Sequence, residues 1–337
     1  MDRYYLTGLT KKELEKALVE NGFKKFRAGQ LIKWVFEKNV FDIDQMSDIA
    51  KADREKLGRI FIVLPIVPKE IQKSKVDKTQ KVLFETEDRE TFESVLLNDK
   101  GRHTLCISSQ IGCKMGCKFC ATGADGFVRN MPVAEIISQF LYFNQQKKID
   151  NIVFMGMGEP LDNYKNVVKA IKLLSDNAGF AQRRVTVSTV GIVPDIKKLA
   201  DEKLKITLAV SLNAANDNVR NGLMPAVRKY NLSTAIDSLH YYFNQTGRRV
   251  TIEYVLLEGV NDSERDAKDL VHLLKGLPCN INLIQYNSID KLGFSSPVNS
   301  HMSQFKHWLE RDGKEVTIRY KRGRDIDAAC GQLRQRR

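Results

Sequence analysis

From Thr104 onward the chain alternates short apolar runs with amphipathic ones, and this alternation limits the possible folds more than any other feature of the sequence. TLCISS, NIVFMG, RRVTVST, ITLAVSL, VTIEYVLL and NINLIQY read as strands. The first leads through a cysteine-rich loop to the helix PVAEIISQFLYFNQQKK. The others precede helical stretches around NVVKAIKLLSD, DIKKLAD, a segment ending near Asn244, SERDAKDLVHLLK and SQFKHWLERDG. Six βα units in series predict an α/β protein with parallel strands and helices outside. Curved, such a sheet is a partial TIM-type barrel, (βα)6, with its chemistry at the C-terminal ends of the strands.

Two segments precede the βα units. Residues 1–62 read as a small helical module. LTKKELEKALVENG carries Leu9, Leu14, Ala17 and Leu18 on one face, with Thr10 as N-cap and Gly22 as stop, and FRAGQLIKWVFEKN repeats the pattern. Residues 63–102 read as a β-rich linker, in which KVLFET and TFESVLLN pair across EDRE while the proline-broken LPIVPKE stays outside the strands. Residues 103–337 form the core domain.

Within the core, Cys113, Cys117 and Cys120 fall inside SSQIGCKMGCKFCATG with no fourth Cys or His at close spacing. Three thiolates leave one iron of a [4Fe-4S] cubane without a protein ligand, and an open metal position is where a small molecule is bound and activated. The alternative is a structural zinc site that borrows Cys106 or Cys330 as fourth ligand. MGMGEP offers glycines that admit a ligand close to the backbone and a carboxylate, Glu159, able to accept from an ammonium. Ser188, Ser211, Asn213 and Asn287 each end a predicted strand with a neutral hydrogen-bonding group. Each alone reads as a turn residue, but their recurrence around one barrel mouth marks them as ligand contacts. Far downstream, RGRDIDAACGQL sets Cys330 between small residues and a glycine, which keeps its sulfur accessible as a nucleophile needs. Cys279 reads as packing.

Charge adds a partner. The 337 residues carry a formal net charge of +13, and the stretch from Lys314 to Arg337 holds eight basic residues against three acidic. Lys and Arg that neutralise phosphates supply most of the sequence-independent affinity for nucleic acid. No run approaches the roughly 20 apolar residues of a membrane span, and the N-terminus lacks a signal-peptide core. Six cysteines, three of them clustered as ligands, suit a reducing compartment, so a cytoplasmic protein is expected.

The cysteine spacing resembles that of radical S-adenosylmethionine (SAM) enzymes, with Phe119 at the aromatic position before the third cysteine. CISSQIGCKMGCKFCATG, FMGMGEPL, RRVTVST, NVRNGLMP, VTIEYVLLEGVND, CNINLI and RDIDAACGQL together resemble the bacterial dual-specificity RNA adenine-C2 methyltransferases, from about Phe84 to Leu333. The N-terminal module is similar too.

That resemblance implies one [4Fe-4S] cluster on Cys113, Cys117 and Cys120, and two SAM molecules per turnover held by Gly158, Glu159, Ser188, Ser211, Leu212, Asn213 and Asn287. Cys330 would carry the methyl as S-methylcysteine. A 5′-deoxyadenosyl radical would then activate it for addition to adenosine carbon 2 in 23S rRNA, at the peptidyl transferase centre, and in tRNA, 3′ to the anticodon. Glu93 would accept the carbon-2 proton, and Cys106 would form a transient disulfide with Cys330. RNA would dock on the N-terminal module, electrons would come from a flavodoxin or ferredoxin, and the protein would act as a monomer. One departure is SLNA where many relatives have SLHA, so Asn213 cannot act as a titrating base. The related carbon-8 methyltransferases of antibiotic resistance, and a zinc-stabilised RNA-binding protein without redox chemistry, are the alternative readings.

Overall fold

The computed structural model describes residues 3–289, 292–320 and 322–334. Lys321, Arg336 and Arg337 of the basic C-terminal stretch lie outside the described residues.

Ten strands form one sheet in strict chain order: β1 Ile66–Lys73, β2 Gln80–Thr86, β3 Thr91–Asp99, β4 Arg102–Cys106, β5 Asn151–Phe154, β6 Val185–Thr189, β7 Thr207–Ser211, β8 Val250–Leu256, β9 Cys279–Gln285 and β10 Val316–Arg319. From β4 to β10 every neighbouring pair is parallel. The helices expected between them are present: α4 Val133–Gln146, α5 Tyr164–Ala178, α6 Val193–Asp201, α7 Leu232–Thr246, α8 Glu264–Leu273 and α9 Asn299–Arg311, after α1 Lys11–Glu20, α2 Arg27–Ile32 and α3 Lys51–Ile60 in the N-terminal module. Leu208, Ala209 and Val210 of β7 are all fully buried, as parallel strands covered on both faces require.

The β-rich stretch before the βα units extends this same sheet, since β1 to β4 pair antiparallel in sequence. β2 and β3 are the hairpin across residues 87–90 that the sequence predicts. LPIVPKE differs from expectation: residues from Ile66 onward belong to β1. Proline is tolerated there because β1 is the sheet edge and its register shifts between Pro68 and Glu70, so no ladder needs the missing N–H. Phe84 of β2 anchors the region, its ring 5.4 Å from Phe92, 5.0 Å from Tyr142 and 6.1 Å from Phe143 of α4.

In the N-terminal module, Thr10 caps α1 through a capping box with Glu13, and Leu14, Ala17 and Leu18 are buried. The second predicted helix is α2 followed by one wider π-type turn, Lys33–Glu37, which buries Trp34, Val35 and Phe36. The module packs outside α4 and α5. Lys169 reaches Glu13 at 2.8 Å, and the side chain of Gln145 donates to Asn39 O at 3.0 Å.

Phe84 is fully buried at the junction of sheet and α4. Phe84→Ala is expected to lower the unfolding free energy by about 3–5 kcal/mol, read by chemical denaturation.

Candidate active site

The loop after β4 returns on itself as a short antiparallel ribbon, Gln110–Gly112 against Phe127–Asn130, with a one-turn helix, Ala121–Ala124, between them. Cys113 N donates to Gly126 O at 2.6 Å, and Cys120 N to Cys117 O at 3.1 Å. The loop thereby turns all three cysteines into a cavity of about 160 Å³ at the C-terminal ends of the strands. Burial pushes the Cys113 thiol up to about 12 and raises Cys117 and Cys120 as well. Such thiols ligate only once a metal cation has displaced their protons. Among the described residues, no group of three or more Cys, His, Asp or Glu converges on a single ion. A cubane asks for a different arrangement, with one thiolate per iron around the cluster, and the three cysteines of this cavity fit it.

Opposite the cysteines stands Glu159, only 2% exposed. Its carboxylate accepts from Leu161 N at 3.0 Å and Val190 N at 2.9 Å, and its own N–H donates to the Gln110 side chain at 2.8 Å. Burial raises its pKa to about 7 against these hydrogen bonds and one from Thr189. The glycines before it are required by close approach. A Cβ at Gly156 would lie 2.6 Å from Ile107 O, and one at Gly158, where φ is +99°, 2.5 Å from the Gln110 side chain. Ser188, Ser211, Asn213 and Asn287 line the same cavity.

Cys330 enters from the other side. A second cavity, of about 700 Å³, lies between the ends of β3 and β10 and is lined by Cys106, Val95, Leu97, Arg319 and Tyr320. Cys330 and Asn287 line both cavities. Asn287 Nδ2 donates to Cys330 O at 3.1 Å, and Ala121 N donates to Gly331 O at 2.8 Å, which fixes the backbone on each side of the sulfur. Cys330 is solvent-accessible yet enclosed by cavity walls, and this desolvation raises its pKa while Arg319 opposes the rise. Burial also raises Cys106, and the nearby Cys330 adds to that effect. Both are free thiols.

Known proteins resemble this chain over nearly its whole length. Residues 107–271 match the radical SAM superfamily, and residues 4–63 match the ribosomal RNA large subunit methyltransferase N-terminal domain. A probable dual-specificity RNA methyltransferase RlmN from Clostridium novyi (strain NT) is 45% identical, covering 98% of this chain and 97% of its own. A protein of the same description from Thermotoga neapolitana is also 45% identical, covering 98% of each chain. The crystal structure of a radical SAM methyltransferase from Sphaerobacter thermophilus superposes with a TM-score of 0.95 at 40% identity, over 98% of this chain and 99% of that one. The chain belongs to the RlmN family. It is an RNA methyltransferase of the radical SAM class, with a [4Fe-4S] cluster and SAM as cofactors.

Within this RlmN-family site, three expected residues sit differently from the rest. Glu93 lines neither cavity. It is 1% exposed, 3.2 Å from Lys81, and accepts from Arg334 N at 3.1 Å beneath the C-terminal loop. The Leu212 side chain is in the hydrophobic core, and its N–H donates to Glu253 O at 3.1 Å, so it offers the cavity no side chain. Asn213 occupies a left-handed conformation, φ +57°, that Asn tolerates better than most residues. Its Oδ1 accepts from Val255 N at 2.8 Å, so the side chain ties the end of β7 to β8. Glu253 is the functional candidate that motif reading passed over. It lines the cavity while 1% exposed, with Oε1 accepting from Asn282 at 3.0 Å and Oε2 lacking a hydrogen-bond partner. The signal was present, a lone carboxylate in the middle of the apolar strand VTIEYVLL.

Between the ordinary carboxylate range and about 7, folded Glu159 holds a proton that the unfolded chain has lost. The ligand-free protein is therefore expected to lose stability as pH rises through that window, with the loss complete above about 7. Thermal melts over a pH series check this, and Glu159→Gln should flatten the slope.

Proposed function

We propose that this protein methylates carbon 2 of adenosine in 23S rRNA, at the peptidyl transferase centre, and in tRNA, at the adenosine 3′ to the anticodon, in the cytoplasm. The observation that carries the reading is the position of Cys330, which borders both the cavity of the cluster cysteines and the larger one. A thiol there can take up a group on the cofactor side and present it to a base on the other.

Carbon 2 of adenine is electron-poor and has no lone pair, so it cannot attack a sulfonium methyl, whereas a carbon radical can add to it. When bound, the cluster and SAM supply an electron and a 5′-deoxyadenosyl radical. The chain's own residues do the rest. Cys113, Cys117 and Cys120 hold the cluster, and Glu159, with Gly158, Ser188, Ser211, Asn213, Asn287 and the Leu212 backbone, orients SAM. Cys330 carries the methyl as S-methylcysteine, with Asn287 holding its carbonyl. Glu93 takes the carbon-2 proton. It faces the same side of β3 as Val95 and Leu97, two residues of the larger cavity, and meets the base once its hydrogen bond from Arg334 N is released. Cys106 pairs transiently with Cys330 as the product leaves.

RNA backbone is held by Arg319 and Arg322 at the rim of the larger cavity and by the N-terminal module, which lies outside α4 and α5. The target adenosine must be unstacked to reach a thiol at this depth. A flavodoxin or ferredoxin supplies electrons, and the protein works as a monomer.

Two cysteine variants test the assignment. Cys330→Ala should yield neither S-methylcysteine in peptide mass spectra nor methylated RNA. Cys106→Ala should load the methyl but stall as protein bound covalently to RNA on a denaturing gel, and normal turnover by this variant would remove its assigned role. Nucleoside mass spectrometry of treated RNA separates carbon-2 from carbon-8 methylation, and metal analysis that found zinc in place of iron would overturn the radical mechanism.

A further inference from the structure

Arg220 lies on the short helix Asp217–Leu223 and is fully buried, at 0% exposure. Its guanidinium donates to two backbone carbonyls, Tyr230 O at 2.8 Å and Val190 O at 3.1 Å, while its buried Nε has no hydrogen-bond partner. Among the described residues it makes no salt bridge. Asp217 acts on it only through space, and that carboxylate accepts from Leu232 N at 2.8 Å. A guanidinium taken out of water costs several kcal/mol unless an anion compensates it.

The helix points to the missing anion. Leu223 and Met224 share an apolar cluster with Met115 and Cys117, and Lys118 N donates to Leu223 O at 2.9 Å. A thiolate at Cys117, as cluster binding would create, lies near enough to act on Arg220 through space. Val190 links the same guanidinium to the opposite wall, since its carbonyl accepts from Arg220 while its N–H donates to Glu159.

We propose that Arg220 is the buried cation that balances the negative charge of the cluster and raises its reduction potential. The proposal rests on the assignment of the cluster to Cys113, Cys117 and Cys120. Three thiolates leave a cubane anionic, and more so when reduced, so a fixed positive charge in a low-dielectric setting favours the reduced state. Reciprocally, filling the site relieves the burial of Arg220, and cluster binding stabilises the fold by more than it would with a neutral residue there.

The test uses cluster-loaded protein with Arg220→Gln and Arg220→Lys. Dithionite titration followed by electron paramagnetic resonance, with iron and sulfide content measured alongside, should give a more negative midpoint for the Gln variant at full iron content. The Lys variant should keep most of the parent value. The rise in Tm on loading should also be smaller for the Gln variant, because the hydrogen bonds lost to Val190 and Tyr230 are lost in both the loaded and the cluster-free protein. An unchanged midpoint at full cluster content overturns the proposal. Should the Gln variant take up little iron, the Lys variant decides: restored loading and midpoint support the charge, and failure to restore them overturns it. A parent protein that binds no iron would instead remove the cluster assignment itself.

Discussion

A cysteine that must border two cavities has to sit on a loop, and a loop has no ladder of its own to satisfy its peptide groups. Residues 323–334 solve this by borrowing partners from both sides of the opening. On one side Asp77 accepts from Gly323 N at 2.8 Å and Lys81 donates to Asp327 O at 3.2 Å. On the other, Ala121 donates to Gly331 O, and the Thr122 hydroxyl donates to Leu333 O. Asn287 holds the middle. The antiparallel strands thus have a structural purpose beyond burying Phe84, because they carry the β1–β2 turn to where the loop can grip it. Arg322 meets Asp99 at the end of β3 at 2.7 Å, so the loop and its ion pair span the open side of a curved sheet whose edges are β1 and β10.

The inner cavity gathers acidic groups at low dielectric, and each is handled differently. The cysteines stay protonated until metal arrives. Glu159 is held by backbone N–H groups from two different loops, which fixes its direction without supplying a compensating charge. Glu253 has one amide donor for two oxygens and is pushed up by burial. A cavity with this much unneutralised acceptor capacity is built to receive a cation, and a sulfonium-bearing amino acid brings both an ammonium and a sulfonium.

Most of the fold was legible because parallel strands buried on both faces leave long apolar runs, and because the helix between each pair keeps a clear period. Thr10 reads as the N-cap of α1 in the sequence, and the structure completes it as a capping box with Glu13. LPIVPKE looks strand-breaking because of its prolines, yet a sheet edge with a shifted register has no use for the missing N–H. Residues that share the inner cavity stood out in the sequence where local chemistry is unusual, as with three clustered cysteines or a glycine pair before a carboxylate. The role expected of Glu93 rests on resemblance alone. Its enclosure by Arg334 depends on a residue far away in sequence, which no local pattern encodes. Arg220 and Glu253 went unnoticed for a related reason, since an isolated charge in a string of letters looks solvated until its burial is known.

The strict chain order of the sheet has a consequence for how the molecule comes into being. Each strand finds its neighbour already synthesised, so the barrel can grow from its N-terminal edge as the polypeptide leaves the ribosome. Apart from Cys330 and Gly331, the residues that line the cofactor cavity, from Cys113 to Asn287, are made before β10. Cys330, the thiol proposed to carry the methyl, is made after β10. On the proposed assignment, a nascent chain that has not reached Cys330 would hold the parts for making a radical but not the group on which that radical is meant to act.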